Sequence, residues 1–341
     1  MNIGTCESYT YLGDVITSDG KNTENIKNRK NKITISSISI NSIASSEVLY
    51  KIETPVLLDL HKKVNVPSLL SNSEAWTLLK SEESEIECAE IQCLKNLFDL
   101  PIKTPTPAVL FTFGILFTGI RVDQKKLIYL HKILNRDPSH WTRKSLDALG
   151  KLNIGWYKNI HQTLTKYNLP EEFSQIQIKT ANEWRNMVKK EIENTNRTRL
   201  IKECHKQSGN ESIKKAKTAH IIDKIKEPTY TRQPQKELKS LSKQETKTLI
   251  IARFGMLECG KNYKGTMSEL CSLCSCIDDE EHRMNICPKY DQLNFLNNPD
   301  GILFSTIYSD NIDNIKSVIE KIETIWDVNK GHGSFRKLLF D

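Results

Sequence analysis

Four residues near the C-terminal end of the chain have the spacing of a metal-binding motif. Cys271 and Cys274 are separated by two residues, His282 follows after seven more, and Cys287 after another four. Two thiolates this close together can hold one ion from a single tight turn, and the histidine and the last cysteine can complete a tetrahedron. Three thiolates and one imidazole favour zinc over calcium or magnesium. Because four protein ligands leave no position for water, we predict a structural zinc site.

Two alternatives to this ligand set stay open at the level of sequence. Cys276 could replace Cys274, although four residues would then separate the first two ligands, more than the two residues of a single tight turn. The four side chains could also be reduced residues that hold no metal. The loop between the two ligand pairs carries four consecutive carboxylates at 278–281, which repel phosphates. We therefore expect the zinc to fix a local fold, and a surface elsewhere to contact any nucleic acid.

The nine cysteines are otherwise dispersed over 341 residues, which is not the pattern of a disulfide framework in a small secreted domain. The opening residues lack the basic and apolar regions of a signal peptide. The uncharged run between Lys103 and Arg121 has 17 residues, and prolines and glycines leave its apolar part shorter than the roughly 20 residues of a membrane span. We predict a buried turn and helix there, and an intracellular protein of the nucleus or cytoplasm that is neither secreted nor transmembrane.

Hydrophobic periodicity predicts a mainly α-helical chain with a short β element at its N-terminal end. The segment 9–17 is rich in aromatic and β-branched residues and precedes a turn at 18–20. Ile26, Ile33 and Ile40 suit one face of a helix over 22–46, which we favour, although isoleucines at alternate positions also permit a strand. Other amphipathic helices are predicted at 81–97 with Ser81 as N-cap, 122–135, 156–167, 181–204, 248–257 and 312–326.

Positive charge is concentrated in one part of the chain. The whole sequence has 49 Lys+Arg and 42 Asp+Glu, a net charge of +7. The segment 179–247 alone has 18 basic and nine acidic residues, a net of +9, which leaves −2 for the rest. Such an excess is typical of a surface that binds a nucleic-acid backbone, and equally of a solvated helix face and linker. The candidate contact residues are Arg185, Lys189, Lys190, Arg197, Arg199, Lys202, Lys214, Lys215, Lys217, Lys224 and Lys226.

The sequence contains no recognisable catalytic constellation. Its Asp-Asp pair, Asp278 and Asp279, lies inside the metal loop. It has no glycine-rich phosphate loop, no Gly-x-Ser-x-Gly and no His-Glu-x-x-His. His131 is a lone histidine on the helix 122–135, and we predict a helix-border position for it rather than a catalytic role. We therefore predict no catalytic residue.

Four segments of the chain, taken in order, match blocks of a known family. Residues 11–21 are YLGDVITSDGK and are followed by NIKNR at 25–29. Residues 72–76 are NSEAW, residues 127–136 are LIYLHKILNR, and the cysteine and histidine motif comes last. In this order they resemble the start of the thumb, two later blocks and the C-terminal zinc knuckle of reverse transcriptases from non-LTR (LINE-type) retrotransposons.

The resemblance implies a helical, thumb-like bundle without the catalytic palm, whose Tyr-x-Asp-Asp metal site would precede Met1. RNA-directed DNA synthesis would then require a palm supplied in cis or in trans. The segment 207–247 is polar and contains Pro228 and Pro234, which indicates a basic linker with one short helix near Ile221. With the resemblance, this divides the chain into a thumb-like helical region (1–150), a helical connector (151–206), the basic linker (207–247) and a zinc-knuckle module (248–341).

Two hypotheses about function follow from these observations. The first is a non-catalytic fragment of a retrotransposon reverse transcriptase that binds template RNA or a nucleic-acid duplex through its basic helix and linker. The second is a zinc-stabilised protein-interaction module, or a decayed structural module, that binds no nucleic acid. The order of the family blocks and the net charge of +9 motivate the first, which is our leading hypothesis, and the acidic loop of the metal motif and the missing palm motivate the second. Neither hypothesis specifies an oligomeric state.

Overall fold

The structure of the protein is a computed structural model that describes residues 6–11, 13–44, 52–207, 221–228, 230–257, 259, 268–271, 273–280, 282–283, 287, 307–309 and 311–330. The predicted mainly α-helical fold with a short β element is confirmed. The chain forms two compact units. The first comprises Met1–Ser39, Leu60–Cys93 and Leu116–Lys202, and the second comprises Ile40–Asp59, Leu94–Ile115 and Glu203–Asp341. The four-part division at 150, 206 and 247 stays a prediction.

The N-terminal β element is a hairpin, where the sequence pattern predicts a single strand followed by a turn. Strand β1 (Ser8–Tyr11) pairs antiparallel with β2 (Asp14–Thr17), with Tyr9 opposite Ile16. Gly13 has φ +87°, a conformation that a residue with a Cβ rarely adopts, and it allows the chain to reverse within two residues.

Twelve further helices follow the first, α1 (Thr23–Ala44), within the part of the chain that the structure describes. They are α2 (Thr54–Leu60), α3 (Val66–Leu70), α4 (Lys80–Leu97), α5 (Thr106–Phe113), α6 (Thr118–Leu134), α7 (Trp141–Leu152), α8 (Gly155–Lys166), α9 (Phe173–Gln177), α10 (Ala181–Gln207), α11 (221–226), α12 (Lys243–Arg253) and α13 (Ile312–Lys330). A π-helical turn at His61–Asn65 and 3-10 turns at Ser73–Ala75 and Lys236–Ser240 complete the described elements.

The core of the first unit confirms that the isoleucine-rich segment is a helix. Ile26 and Ile33, seven residues apart on α1, are buried, while Ile35 and Ile38 are exposed, so the burial follows helical rather than alternating spacing. The same core takes residues from several other elements: Leu69, Leu70, Trp76, Ile86, Cys93 and Val122.

Two helix starts differ from the sequence-based expectation because of capping. Ser81 lies inside α4 rather than at its N-cap, and the Glu82 carboxylate accepts the backbone N–H of Leu79 at 2.9 Å. Helix α12 begins at Lys243, five residues before the predicted start. Ser242 and Glu245 form a reciprocal capping box, which satisfies two backbone N–H groups and fixes the helix start there.

The second unit buries the uncharged segment as predicted. Every residue of α5 from Pro107 to Phe113 is buried, and the Phe98 and Phe113 rings stack at 4.4 Å between centroids. Among the described helices, none by itself combines the length and apolar composition that crossing a membrane requires.

A cluster of polar side chains lies inside the first unit around Glu90, which is 1% exposed. Its carboxylate accepts hydrogen bonds from His61 Nε2 at 3.0 Å and Thr118 Oγ1 at 2.5 Å, and it forms a salt bridge with Arg121. Within the π-helical turn, Asn65 Nδ2 lies 3.4 Å from His61 Nδ1. This places a neutral histidine between an amide and a paired carboxylate.

We expect His61 to make stability depend on pH. Burial, with the nearby charges of Arg121 and Lys62, lowers the pKa of His61 from 6.5 to about 3. Below pH 6.5 the unfolded chain therefore binds a proton that the folded chain does not, and stability falls as the pH falls, by up to about 1.4 kcal/mol per pH unit.

Urea denaturation at pH values of about 7, 6 and 5 checks this effect in wild type and in His61→Gln. The glutamine can still donate to Glu90 but does not titrate in this range, so the wild-type free energy of unfolding should decline more steeply with acid than that of the variant. Parallel declines in the two proteins would show that His61 is not the titrating group.

Candidate metal centre

A small turn holds the first two ligands of the predicted metal site. Leu270 pairs with Ile277 in an antiparallel bridge, and the backbone N–H of Cys271 donates to the Cys276 carbonyl at 2.7 Å. The chain reverses at Ser275, which has φ +61° and donates its N–H to the Cys271 carbonyl at 2.8 Å. Cys271 and Cys274 therefore project from one tight turn, as their two-residue separation predicts.

The second pair of ligands follows a capped turn. The backbone N–H of His282 donates to Asp279 Oδ1 at 2.9 Å, and the N–H of Cys287 donates to the His282 carbonyl at 2.7 Å. These bonds set the direction from which the imidazole and the last thiol approach the first pair.

The structure brings the four predicted ligands together. One potential ligand atom from each of Cys271, Cys274, His282 and Cys287 lies within 4.8 Å of all the others. Cys287 Sγ is 3.9 Å from Cys271 Sγ and 3.7 Å from Cys274 Sγ, and Cys274 Sγ is 3.1 Å from His282 Nε2. A tetrahedron with metal–sulfur bonds of about 2.3 Å has sulfur–sulfur edges of about 3.8 Å. The cluster can therefore hold one metal ion.

Cys276 does not belong to this cluster. Its side chain is exposed, whereas Cys271, His282 and Cys287 are buried and Cys274 is partly buried. It contacts the cluster from outside: its backbone hydrogen-bonds to Cys274 and to Cys271, and its thiol also hydrogen-bonds to Cys274. The structure thus favours Cys274 over Cys276 as the second ligand.

The acidic loop is not simply a solvated run of carboxylates. Asp278 is 2% exposed, and both of its oxygens accept from Arg283, at 2.5 and 2.6 Å. Asp279 caps the turn of His282, so two of the four acids hold the site together. The contribution of Arg283 was not predicted from the sequence. The arginine directly follows a predicted ligand, which is the only local signal for such a role.

The candidate nucleic-acid residues divide by environment. On α10, the side chains of Arg185, Lys189, Lys190 and Lys202 are exposed, Arg197 is partly buried, and on α11 Lys224 is partly buried and Lys226 is exposed. Lys214, Lys215 and Lys217 lie outside the described residues.

Arg199 has an internal role in the first unit. Its two terminal nitrogens donate to the Glu87 carboxylate at 2.9 and 2.6 Å, and its guanidinium lies 4.0 Å from the centroid of the Phe117 ring. Arg199 thus has partners within the first unit, unlike the exposed cations of α10, and its contact with a phosphate stays a prediction.

His131 is buried on α6 rather than at a helix border. Its Nε2 lies 2.9 Å from the backbone carbonyl of Lys179, and its ring stacks on Trp184. The histidine joins α6 to the start of α10, which gives it a structural role within the first unit.

No protein-family model, no curated protein and no solved structure matches the chain.

We expect Cys271→Ser to abolish stoichiometric metal binding, because it removes a buried thiolate from a four-ligand site. Cys276→Ser is the matched control, since it removes an exposed thiol from the same turn and should retain one metal ion per chain. Metal content of the purified proteins, measured by mass spectrometry, checks the prediction. Equal metal loss in both variants would contradict the ligand set.

Proposed function

We propose that the chain is a non-catalytic nucleic-acid-binding protein, related to the C-terminal portion of a non-LTR retrotransposon reverse transcriptase, with a zinc ion that stabilises its fold. The observation that carries the zinc assignment is the closed cluster of three cysteines and one histidine. Zinc suits this donor set because it accepts soft thiolates and imidazole in tetrahedral geometry. With four protein ligands, the ion would have a structural role and would supply no catalytic water.

Exposed cations on α10 support the nucleic-acid part of the proposal. Arg185, Lys189 and Lys190 are exposed within six residues of one another, and Lys202 is exposed further along the same helix. Such cations can neutralise successive phosphates of a backbone without contacting bases. Each phosphate neutralised releases counterions, so affinity should decrease as salt increases. RNA and DNA are both candidate partners, in the nucleus or the cytoplasm.

We expect Lys189→Gln combined with Lys190→Gln to weaken binding to a duplex and to make its salt dependence shallower. Two lost phosphate contacts would reduce the slope of log affinity against log salt by up to about 1.8. Titrations of duplex RNA and DNA between about 50 and 200 mM salt measure this slope. The matched control is Lys80→Gln with Lys158→Gln, which removes the same charge from exposed positions on α4 and α8. Wild-type binding that is absent, or independent of salt, would contradict the proposal.

Arg199→Gln should instead reduce stability. It removes the paired hydrogen bonds to Glu87 and the contact with Phe117, and charge-assisted hydrogen bonds contribute about 1.5–3 kcal/mol each when well formed. Because Arg199 is about one-third exposed, we expect a loss of about 1–2 kcal/mol in urea denaturation. Unchanged stability together with weaker duplex binding would show that Arg199 is a contact residue after all.

A zinc-stabilised protein-interaction module is the second candidate. The acidic metal loop favours it, because the negative charge of Glu280 would repel the phosphates of a nucleic acid. Affinity capture from nuclease-treated extract separates the two candidates. A partner that is retained after nuclease digestion supports the protein-interaction module, and one that is lost supports nucleic-acid binding.

A further inference from the structure

Trp141 is the most exposed tryptophan among those whose side chains the structure describes. Its side chain is 80% exposed at the first position of α7, whereas Trp76 and Trp184 are 4% and 1% exposed. Trp156 is partly buried and donates its indole N–H to the Glu74 carbonyl. Tryptophan has a large apolar ring that folding normally covers at least in part. An indole left open on a 12-residue helix therefore needs an explanation outside the packing of the first unit.

One cation lies over the Trp141 ring, and a second contacts the residues that flank Trp141 in the chain. Lys144 Nζ is 5.6 Å from the ring centroid, within the distance of a cation–π interaction. Arg136 Nη1 contacts the residues on either side of Trp141, at 3.1 Å from His140 Nε2 and 3.4 Å from Thr142 Oγ1. One positive charge thus lies over the exposed ring, and a second contacts the two residues that flank Trp141 in the chain.

The acidic residues nearest to Trp141 in the sequence, Asp137 and Asp147, each have a local partner. Asp137 Oδ1 accepts the backbone N–H of Ser139 at 2.7 Å, and Asp147 pairs with Arg143 at 3.5 Å. Arg136 and Lys144 are both exposed cations. An aromatic ring accompanied by cations is complementary to a nucleotide, whose base can stack on the ring and whose phosphates can pair with the cations. A protein partner with an acidic or a neutral apolar surface would not need both the ring and the two cations.

We propose that Trp141, Lys144 and Arg136 form a stacking site for an unpaired base of single-stranded RNA or DNA. The indole stacks on the base, and the two cations contact the phosphates on either side of it. Because a base in a duplex is already stacked on its neighbours, the site selects single strands. It lies on a different helix from the duplex-binding cations of α10, and it rests on the proposed function, since both require that the chain bind nucleic acid.

Binding of an oligo(U) of about 20 nucleotides and of a duplex of the same length tests this site. Trp141→Ala should lower the affinity for oligo(U) about 10-fold, change duplex binding less than about two-fold, and leave the salt slope of oligo(U) binding unchanged. Trp141→Phe should retain most of the affinity, because the ring that stacks is kept. Lys144→Gln should lower the salt slope for oligo(U) by about 0.7, the value of one phosphate contact on a single strand.

Ile178→Ala is the matched control, because the Ile178 side chain is apolar and, at 81%, as exposed as that of Trp141. Leu152→Ala is a second control, since Leu152 is 67% exposed on α7 itself. Circular dichroism confirms that the variants are folded. An unchanged affinity of Trp141→Ala for oligo(U), or an equal loss in Leu152→Ala, would overturn the stacking site.

The same titrations distinguish the two proposals. Duplex binding that depends on Lys189 and Lys190, together with a Trp141→Ala variant that binds oligo(U) as wild type does, would leave the proposed function standing and remove the stacking site alone. A wild-type chain that binds neither nucleic acid would remove both. A protein partner that Trp141→Ala loses after nuclease digestion would also overturn the stacking site.

Discussion

Glu90 imposes the strongest constraint on the first unit, because a carboxylate that is 1% exposed must be neutralised within the fold. A buried charge costs several kcal/mol unless it is paired and hydrogen-bonded. Its partners come from α6, which supplies Arg121 and Thr118, and from the π-helical turn, which supplies His61. A shift of either element would remove part of this pairing. The network therefore fixes how α4, α6 and the turn align, in addition to any stability that it contributes.

The candidate metal cluster would impose a comparable constraint on its own part of the second unit. The paired residues of its turn, Leu270 and Ile277, are 51% and 64% exposed, so these two described side chains bury little apolar surface. Small modules without a core of their own depend on a metal or a disulfide. The sulfur–sulfur distances of 3.7 and 3.9 Å are far longer than a disulfide bond of about 2.05 Å. A shared metal ion is thus the cross-link that this geometry fits.

The sequence predicted features whose signals are local and missed those that depend on distant partners. Helical spacing of the isoleucines identified α1, and the separation of Cys271 from Cys274 identified a turn that the structure contains. The pairing of Arg199 with Glu87 spans 112 positions, so no local pattern indicates it. The capping box at Ser242 is local, but the polar composition around it favoured a linker and concealed the helix start.

The net charge of a sequence segment does not show which of its cations can bind a polyanion. In the segment 179–247, Arg199 pairs with Glu87, Arg232 donates to the Gly114 carbonyl, and Lys243 is buried against Asp99. Folding thus assigns some of the positive charge to internal contacts before any ligand binds. The phosphates of a nucleic acid can contact only the cations that stay exposed after folding. An exposed aromatic ring such as that of Trp141 would add a kind of contact that charge counting cannot detect, because base stacking depends on the exposed ring and not on the sum of charges.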